Sequence, residues 1–582
     1  FKQKTAYEIR LSLVGSEMCI RDSLGTQPFD GLANRTSQFN GLCQAGEGAM
    51  LNMATMRLQL EILSAAAVDA ADPDDPATIP PEILEYYRTN PQVVDMLPAE
   101  VQAKVRALLA AAPLAGASGD AATSDTPADS PGPGEPKEPS DLIDGVPEAF
   151  VGPQLADLTA HEIGHTLGLR HNFKASTVYD LATINSDTLA GAKTWTGSVM
   201  DYHGWNIRVE AGDRQGDYGP INIGPYDMWA IEYGYGDGDP ATVASRAADP
   251  MLTYGTDEDT WGSDPTARQW DLSSNPLDYA NEKIRLAEFH RRQLLDHFVK
   301  EGQSWSRARM GYQLTLGQQM SAINIMSQWI GGAYTSRAKR GDEGAGNPIT
   351  PVQVQRQRDA LTFILEHTFR DAAYGLTPDL LAHMSLDKWW DEGGFATIFQ
   401  DVPYAVHDSI LGMQASTLTM LLNPTTLTRV FDNELRVAPD QDMLTLPEML
   451  KTITDEVWSE TAATPSPEAV RGFTNRQPMV SSLRRNLQTE HLGRLIELSM
   501  PGRMTGSAAE PVRTLARAEL QRLAARLETA RNTAPNDSYT TAHLADASSR
   551  ISRALDASYI YNTNDISPFY PMFSPIFGQP QR

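Results

Sequence analysis

Residues 161–171 read HEIGHTLGLRH, and this stretch decides the fold and the chemistry that the sequence predicts. His161 and His165 are four residues apart, so on a helix their imidazoles lie one turn apart on the same face. Two neutral imidazoles in this arrangement can bind one Zn²⁺ ion. Glu162 lies beside that face, where its carboxylate can reach a water at the metal.

The end of the same stretch supplies a third ligand. Gly168 lacks a Cβ, so it can adopt the left-handed conformation that lets a chain leave a helix. That turn brings His171 to the metal, and three protein ligands leave a fourth position open for water, as in catalytic zinc sites. We therefore predict a zinc helix over 153–168, with Pro153 in its first turn and Glu162 as general base.

The pattern HExxHxxGxxH, followed by SVMDY at 198–202, resembles the metzincin clan of zinc endopeptidases. The resemblance implies that Met200 is the Met-turn residue beneath the imidazoles. It also implies that Tyr202 ligates the zinc or stabilises the oxyanion, as in astacin-like and serralysin-like members. The longer strings at 161–173 and 224–236 (GPYDMWAIEYGYG) resemble, more narrowly, a bacterial family of secreted zinc metallopeptidases with a long helical C-terminal region.

The domain organisation follows from composition and periodicity. Residues 1–23 include LSLVGSEMCIRDS, which resembles a translated sequencing adapter, so we treat them as a non-native leader. A metzincin-like catalytic module is expected over 24–276, with a flexible insertion over 112–145 that is rich in Ala, Gly, Ser, Pro and Asp. Helical spacing of apolar residues predicts a helical region over 277–562, and an extended tail is expected over 563–582.

The expected fold class is α+β and predominantly α. Apolar spacing predicts two further helices over 42–66 and 99–111. The resemblance implies a twisted sheet upstream of the zinc helix, with an edge strand that holds the substrate backbone. Residues 24–150 show no clear strands, so either those strands precede Phe1 or helices replace them.

Composition excludes several classes of function. The chain has 582 residues and a formal net charge of -26, which argues against nucleic acid as a partner because phosphate binding needs a basic surface. No apolar run approaches the ~18 residues of a transmembrane segment. Cys19 and Cys43 make neither a disulfide framework nor a cysteine metal site. The expected partner is a protein or peptide substrate, the oligomeric state stays open, and the resemblance implies a location outside the cytoplasm.

Three weaker signals remain. Asn172 either hydrogen-bonds behind the metal ligands or caps a turn. Asp227 is expected to be a residue of a helix N-terminus rather than a catalyst. The acidic segment 237–271 could bind Ca²⁺, although it lacks EF-hand spacing and acidic loops are usually solvated. Its carboxylates are Asp237, Asp239, Asp257, Glu258, Asp259, Asp264 and Asp271.

The sequence thus favours a zinc-dependent endopeptidase. One alternative is a zinc amide hydrolase acting on small or cell-wall peptides, which would share every site residue. A second alternative is a binding or scaffold protein whose zinc site is vestigial. Glu162 argues against this last hypothesis, because a vestigial site has no chemical need for a general base.

Overall fold

The computed structural model describes residues 45–69, 79–111, 142–143, 146–209, 212–342, 346–388, 401–463, 465–531 and 536–557. The leader 1–23, both cysteines, residues 112–141 of the predicted insertion and the tail 563–582 lie outside this set. The chain divides into two compact units, Phe1–Leu444 and Thr445–Arg582. Helices dominate the described residues and strands are few, which confirms the predominantly α class.

The first unit begins with α1 (Ala45–Val68), α2 (Pro81–Thr89), α3 (Pro91–Val94) and α4 (Ala99–Ala111). The helix predicted over 99–111 is confirmed, and the one predicted over 42–66 is described from Ala45 to Val68. The Gln59 side chain of α1 donates to the Arg208 carbonyl at 3.2 Å. This helix therefore packs against the segment that follows residues 198–202.

A short hairpin leads into the helix that carries the histidines. Strands β1 (Leu142–Ile143) and β2 (Val146–Pro147) pair antiparallel, so the insertion predicted over 112–145 overlaps the first strand. Helix α5 follows directly and runs over Glu148–Thr166. The predicted start at Pro153 was wrong by five residues, since Pro153 lies inside the helix. A proline there removes the hydrogen bond to the carbonyl four residues earlier and its ring crowds that carbonyl, but the buried Phe150 and Val151 hold the first turn in place.

Residues between α5 and the next long helix form turns and short helices. These are α6 (Leu181–Ile184), α7 (Pro225–Tyr235), α8 (Pro240–Ala244) and α9 (Asp257–Thr260), with 3₁₀ turns at Ala175–Thr177 and Pro250–Leu252. The segment 237–276, expected to be loop-like, therefore contains two helices of four or five residues. Asp239 caps the first of these by accepting from the Ala241 amide at 3.3 Å.

The rest of the first unit is mainly helical. It comprises α10 (Pro276–Arg292), a π-helical turn (Leu294–Phe298), α11 (Ser306–Ser327), β3 (Ala333–Thr335), β4 (Ile349–Pro351), α12 (Val354–Phe369), a 3₁₀ turn (Asp371–Tyr374), α13 (Pro378–His383), α14 (Val406–Leu422) and α15 (Pro424–Asn433). Helix α10 packs along α11, and its apolar residues Ile284, Leu286 and Phe289 are buried as their spacing predicts. Strands β3 and β4 pair antiparallel.

The second unit is a helical bundle. Its helices are α16 (Leu446–Val457), α17 (Pro467–Gly472), α18 (Ser482–Leu498), α19 (Ala509–Ala530) and α20 (Ser538–Ala557), with a 3₁₀ turn at Ser459–Thr461. Leu520, Leu523 and Leu527 of α19 are fully buried, as helical spacing predicts. Across the described parts of both units, no helix combines the length and the apolar character that crossing a bilayer requires. The module boundary at 276 stays a prediction.

Candidate metal centre

His161, His165 and His171 come together at the end of α5. One ring nitrogen of each lies within 4.8 Å of those of the other two, and all three side chains are buried. The ring centroids are separated by 4.8 Å, 5.2 Å and 4.8 Å. Within the described part of the chain, this is the single group of three or more metal-ligating side chains. The spacing of the motif therefore produces the three-sided arrangement that a tetrahedral ion needs.

Hydrogen bonds fix which nitrogen of each ring faces the centre. Nδ1 of His161 donates to the Val199 carbonyl at 2.8 Å, and Nδ1 of His165 donates to the Leu169 carbonyl at 3.0 Å. A carbonyl can only accept, so these rings carry their proton on Nδ1. The lone pair is then on Nε2, which is the tautomer that binds a metal. The donor set therefore fits Zn²⁺.

The third ring has a carboxylate as its partner. Nδ1 of His171 donates to Oδ1 of Asp257 at 3.0 Å. Asp257 is 1% exposed and also lies 3.6 Å from the Arg170 guanidinium, which pairs with Glu258 at 2.7 Å. Burial raises the pKa of Asp257, whereas His171 and Arg170 lower it by a larger amount. The pKa of this carboxyl group therefore lies below its usual range. The carboxylate stays ionised and orients the imidazole.

Sequence reasoning missed this role of Asp257. It lies 86 residues after His171, on α9, and appeared only as one of several acidic residues in a candidate calcium segment. Asp257 follows the helix-capping Thr256 and precedes Glu258, and this order indicates a short helix. Nothing in the sequence links that helix to His171. Such a contact between distant segments appears only once the chain is folded.

The turn that releases the chain from α5 depends on one glycine. Gly168 has φ +85°, in the left-handed region that favours glycine. The Leu169 amide donates back to the Gly164 carbonyl at 3.0 Å, which closes the end of the helix. The chain then reverses and places His171 opposite the two helical histidines.

Met200 lies directly beneath α5. It is fully buried, and a Cβ atom added to Gly164 would lie 2.3 Å from its Sδ. The helix and the methionine can approach this closely only because residue 164 has no side chain. Asp227 holds the turn around Met200 by accepting from the amide of Val199 at 2.8 Å and from the hydroxyl of Ser198.

Asp227 is therefore a support of this turn. It lies in the first turn of α7 and also accepts from the Gly224 amide at 2.9 Å, in keeping with the predicted helix N-terminus. Burial raises its pKa, and the bonds from Ser198, Val199 and Gly224 oppose that rise. The sequence did not reveal its contact with residues 198–199.

Tyr202 extends its hydroxyl to the histidines. The hydroxyl lies 3.0 Å from Nε2 of His171, and the ring is 5.4 Å from that of His161. Trp270 stacks on the other face of Tyr202 at 5.4 Å, and the Trp270 amide donates to the Tyr202 carbonyl at 2.6 Å. Trp270 has φ +69°, which is strained for a bulky residue. Such strain persists where the surrounding contacts impose it.

Glu162 and Asn172 complete the predicted residues. Glu162 follows His161 on α5 and is 5% exposed. Asn172 follows the third histidine and is fully buried. Its amide group donates to the Thr253 carbonyl at 3.0 Å, its Oδ1 accepts from the Gly255 amide at 3.1 Å, and its backbone amide donates to the Met200 carbonyl at 2.9 Å. Asn172 thus ties together three loops behind the metal centre.

Calcium receives no support from the acidic segment. Asp264 pairs with Lys174 at 2.5 Å and with the Thr335 amide, and Asp259 pairs with Arg337 at 2.7 Å. Asp271 accepts from the Ser176 hydroxyl at 3.0 Å. These carboxylates are spread over separate protein partners instead of converging on one point.

Comparison with known proteins gives one match. The sequence profile of a family described as Met-zincin matches residues 144–465, which cover α5, the turn at Met200, α9 and most of the helices of the first unit. Neither a curated protein nor a solved structure matches the chain. The family and the histidine triad together indicate a zinc metallopeptidase. More than half of the chain lies within the matched range, so the chain belongs to the Met-zincin family.

Proposed function

We propose that the chain is a zinc-dependent endopeptidase that hydrolyses peptide bonds within polypeptides. The observation that carries the proposal is the set of three Nδ1 hydrogen bonds, which turn the Nε2 lone pairs of His161, His165 and His171 towards one point. When bound there, zinc would polarise a carbonyl oxygen and lower the pKa of a coordinated water towards about 7. Three ligands leave room for that water.

Glu162 is the general base of this proposal. It adjoins His161 on α5, and its buried position makes it the carboxylate of the motif best placed to take a proton from the attacking water. The same carboxyl group then gives the proton to the leaving amine. Its low exposure limits the access of bulk water that would compete for that proton.

Tyr202 is the proposed oxyanion donor. Its hydroxyl points at the histidine cluster, and Trp270 and Phe173 hold the ring between them. A hydroxyl held in this way can donate to the oxygen of the scissile carbonyl as negative charge develops there. By the resemblance to secreted metallopeptidases, we place this activity outside the cytoplasm.

Digestion of an unfolded protein tests the proposal and separates it from the alternatives. Mass spectrometry of the products should show new termini at internal positions of the substrate when zinc is present. Glu162→Gln, which has nearly the same shape but cannot accept the proton, should retain zinc and produce none of these fragments. Hydrolysis of short peptides alone would favour the amide hydrolase. Intact substrate with one bound zinc per chain would favour the binding protein.

A further inference from the structure

A small polar cavity lies beside the metal centre, on the His161 side. It has a volume of about 30 Å³ and touches His161 and Tyr202. Gln154 and Asp157 line it from α5, two turns and one turn before His161 respectively, and His203 lines it from the segment after Tyr202. This cavity adjoins the place where the proposed function puts the scissile bond.

Four polar side chains around this cavity, those of Gln154, Asp157, Asp201 and His203, have buried atoms without a hydrogen-bond partner among the described residues. Gln154 is 3% exposed, and neither atom of its amide has a hydrogen-bond partner among the described residues. The same holds for Oδ1 of Asp157 and for Nδ1 of His203. A buried polar atom without a partner costs about 1–3 kcal/mol, so several around one cavity indicate an occupant that hydrogen-bonds to them.

These atoms can accept more hydrogen bonds than they can donate. Nε2 of His203 lies 3.1 Å from Oδ2 of Asp157, and because the carboxylate can only accept, the ring proton is on Nε2. Nδ1 of His203 then presents a lone pair. The acceptors are this atom, Oδ1 of Asp157 and Oε1 of Gln154, and the Gln154 NH₂ group is a donor. Oδ1 of Asp201 also faces no partner, and because burial raises the pKa of this carboxyl group, Oδ1 accepts when ionised and donates when protonated. The matching occupant is rich in donors and positively charged.

The size and the walls of the cavity narrow the choice further. A volume of about 30 Å³ is sufficient for a group of the size of a water molecule, which is also the size of an ammonium group. Leu158, Trp205 and Trp270 form the apolar part of the wall. They can cover the methylene stem of a long aliphatic amine, and aromatic rings also attract a cation.

We propose that Gln154, Asp157 and His203 bind the ammonium group of a lysine-type side chain, in a substrate residue next to the scissile bond. This inference rests on the proposed peptidase function. It makes these three residues the determinants of substrate preference at one position, and none of them takes part in the chemical step.

Paired peptides test this preference. Two fluorogenic peptides carry lysine or norleucine at the residues flanking the scissile bond and are otherwise identical, so they differ by the ammonium group. The wild-type chain should hydrolyse the lysine peptide with a kcat/KM about tenfold higher or more, the value expected for buried hydrogen bonds to a charge. Equal values, or a preference for a glutamate peptide, would overturn the proposal.

Variants on α5 test the residues themselves. In Gln154→Met and Asp157→Asn the lysine-to-norleucine ratio should fall towards one. Leu155→Ala is the matched control, because Leu155 lies next to Gln154 but is 46% exposed on the outer face of α5, and it should keep the wild-type ratio. Zinc content and circular dichroism identify variants that fold. Folded variants that retain the full ratio would contradict the assignment.

Binding separates this inference from the peptidase proposal. Calorimetry on the Glu162→Gln chain loaded with zinc measures affinity for both peptides without cleavage. Binding of the lysine peptide about tenfold more tightly supports the cavity assignment, even if the wild-type chain cleaves neither peptide. Equal binding, or binding of neither peptide, rejects it even if the wild-type chain is an active peptidase.

Discussion

Each metal-binding imidazole is held by a hydrogen bond from its far nitrogen to a fixed acceptor. His161 and His165 donate to backbone carbonyls, and His171 donates to the buried carboxylate of Asp257. Such bonds set the orientation of the ring, and a carboxylate also makes the ligating nitrogen more basic. We therefore expect the affinity for zinc to depend on Asp257, which lies outside the triad of candidate ligands.

Asp257→Asn should weaken zinc binding about tenfold, because the amide can still accept from His171 but carries no charge. Competition with a chromophoric chelator measures the dissociation constant. Glu258→Gln is the control, since Glu258 pairs with Arg170 at the surface and surface pairs contribute little. Equal affinities in wild type and Asp257→Asn would show that the charge does not act on the site.

Tyr202→Phe should lower kcat about 100-fold while one zinc stays bound, because the change removes a single donor to the developing oxyanion. The ring would still pack between Phe173 and Trp270. Steady-state kinetics on an internally cleaved peptide provide the measurement. Tyr233→Phe, an exposed tyrosine of α7, is the matched control. A kcat within a factor of two of wild type would remove Tyr202 from the mechanism.

At the scale of single residues, the sequence predicted that the three histidines come together, but it did not predict the residues that orient them. Fixed offsets on a helix determine where His161 and His165 point, and a glycine marks where the chain turns towards His171. The partners that orient these residues, Asp257 among them, come from distant loops. Their contacts depend on tertiary packing, which leaves no local pattern.

At the scale of elements, the centre depends on the end of α5 and on two loops packed beneath it. Gly168 ends the helix in a left-handed turn, and Gly164 lets the Met200 loop approach the helix axis. Ser176 links the loop that carries Asp201 to the segment that carries Asp271. Its amide donates to Asp201 at 2.8 Å, and its hydroxyl donates to Asp271 at 3.0 Å.

Gly168→Ala should lower the free energy of unfolding by about 1–2 kcal/mol, the cost of a left-handed conformation for a residue with a Cβ. Steric clash does not contribute, because a Cβ at this position would meet nothing within 4 Å. Gly317→Ala in α11 is a control of opposite sign. Its Cβ also has open space but lies in an exposed helix, so alanine should stabilise by about 0.5–1 kcal/mol. Chemical denaturation measures both, and equal effects would contradict the prediction.

Asp271→Asn should become increasingly stabilising relative to wild type as pH rises. Burial raises the pKa of Asp271 from the usual 3.8 to about 7, with Ser176 opposing the rise. The stability associated with the neutral carboxyl is fully present below pH 3.8 and is lost as pH rises through about 7.

The gain in free energy of unfolding of Asp271→Asn over wild type should therefore be small at pH 4 and grow to about 4 kcal/mol by pH 8. Denaturation across this range measures it, with the exposed Asp237→Asn as control. An advantage that does not change with pH would show that Asp271 ionises normally in the folded chain.

The elements also show where sequence patterns stop being informative. The helix over 99–111 was predicted to the residue, because its apolar face has regular spacing and its ends are clear. The start of α5 was missed, because Pro153 is a strong signal for a first turn but tertiary packing of Phe150 extends the helix before it. Helices of four residues, such as α9, are too short for periodicity to indicate.

At the scale of the whole molecule, a helical chain with a net charge of -26 carries a single buried cluster of imidazoles among its described residues. The first compact unit contains every residue of that cluster and of its support. The family match covers residues 144–465, which include all three histidines and Asp257.

Titration of zinc into the metal-free chain tests the central claim most directly. Hydrolysis of an unfolded protein and bound zinc are measured together, for the wild-type chain and for Glu162→Gln. We expect wild-type activity to rise in proportion to zinc and to stop rising at one equivalent, while Glu162→Gln binds the same equivalent and stays inactive. Activity without zinc, or equal activity in the two chains, would contradict it.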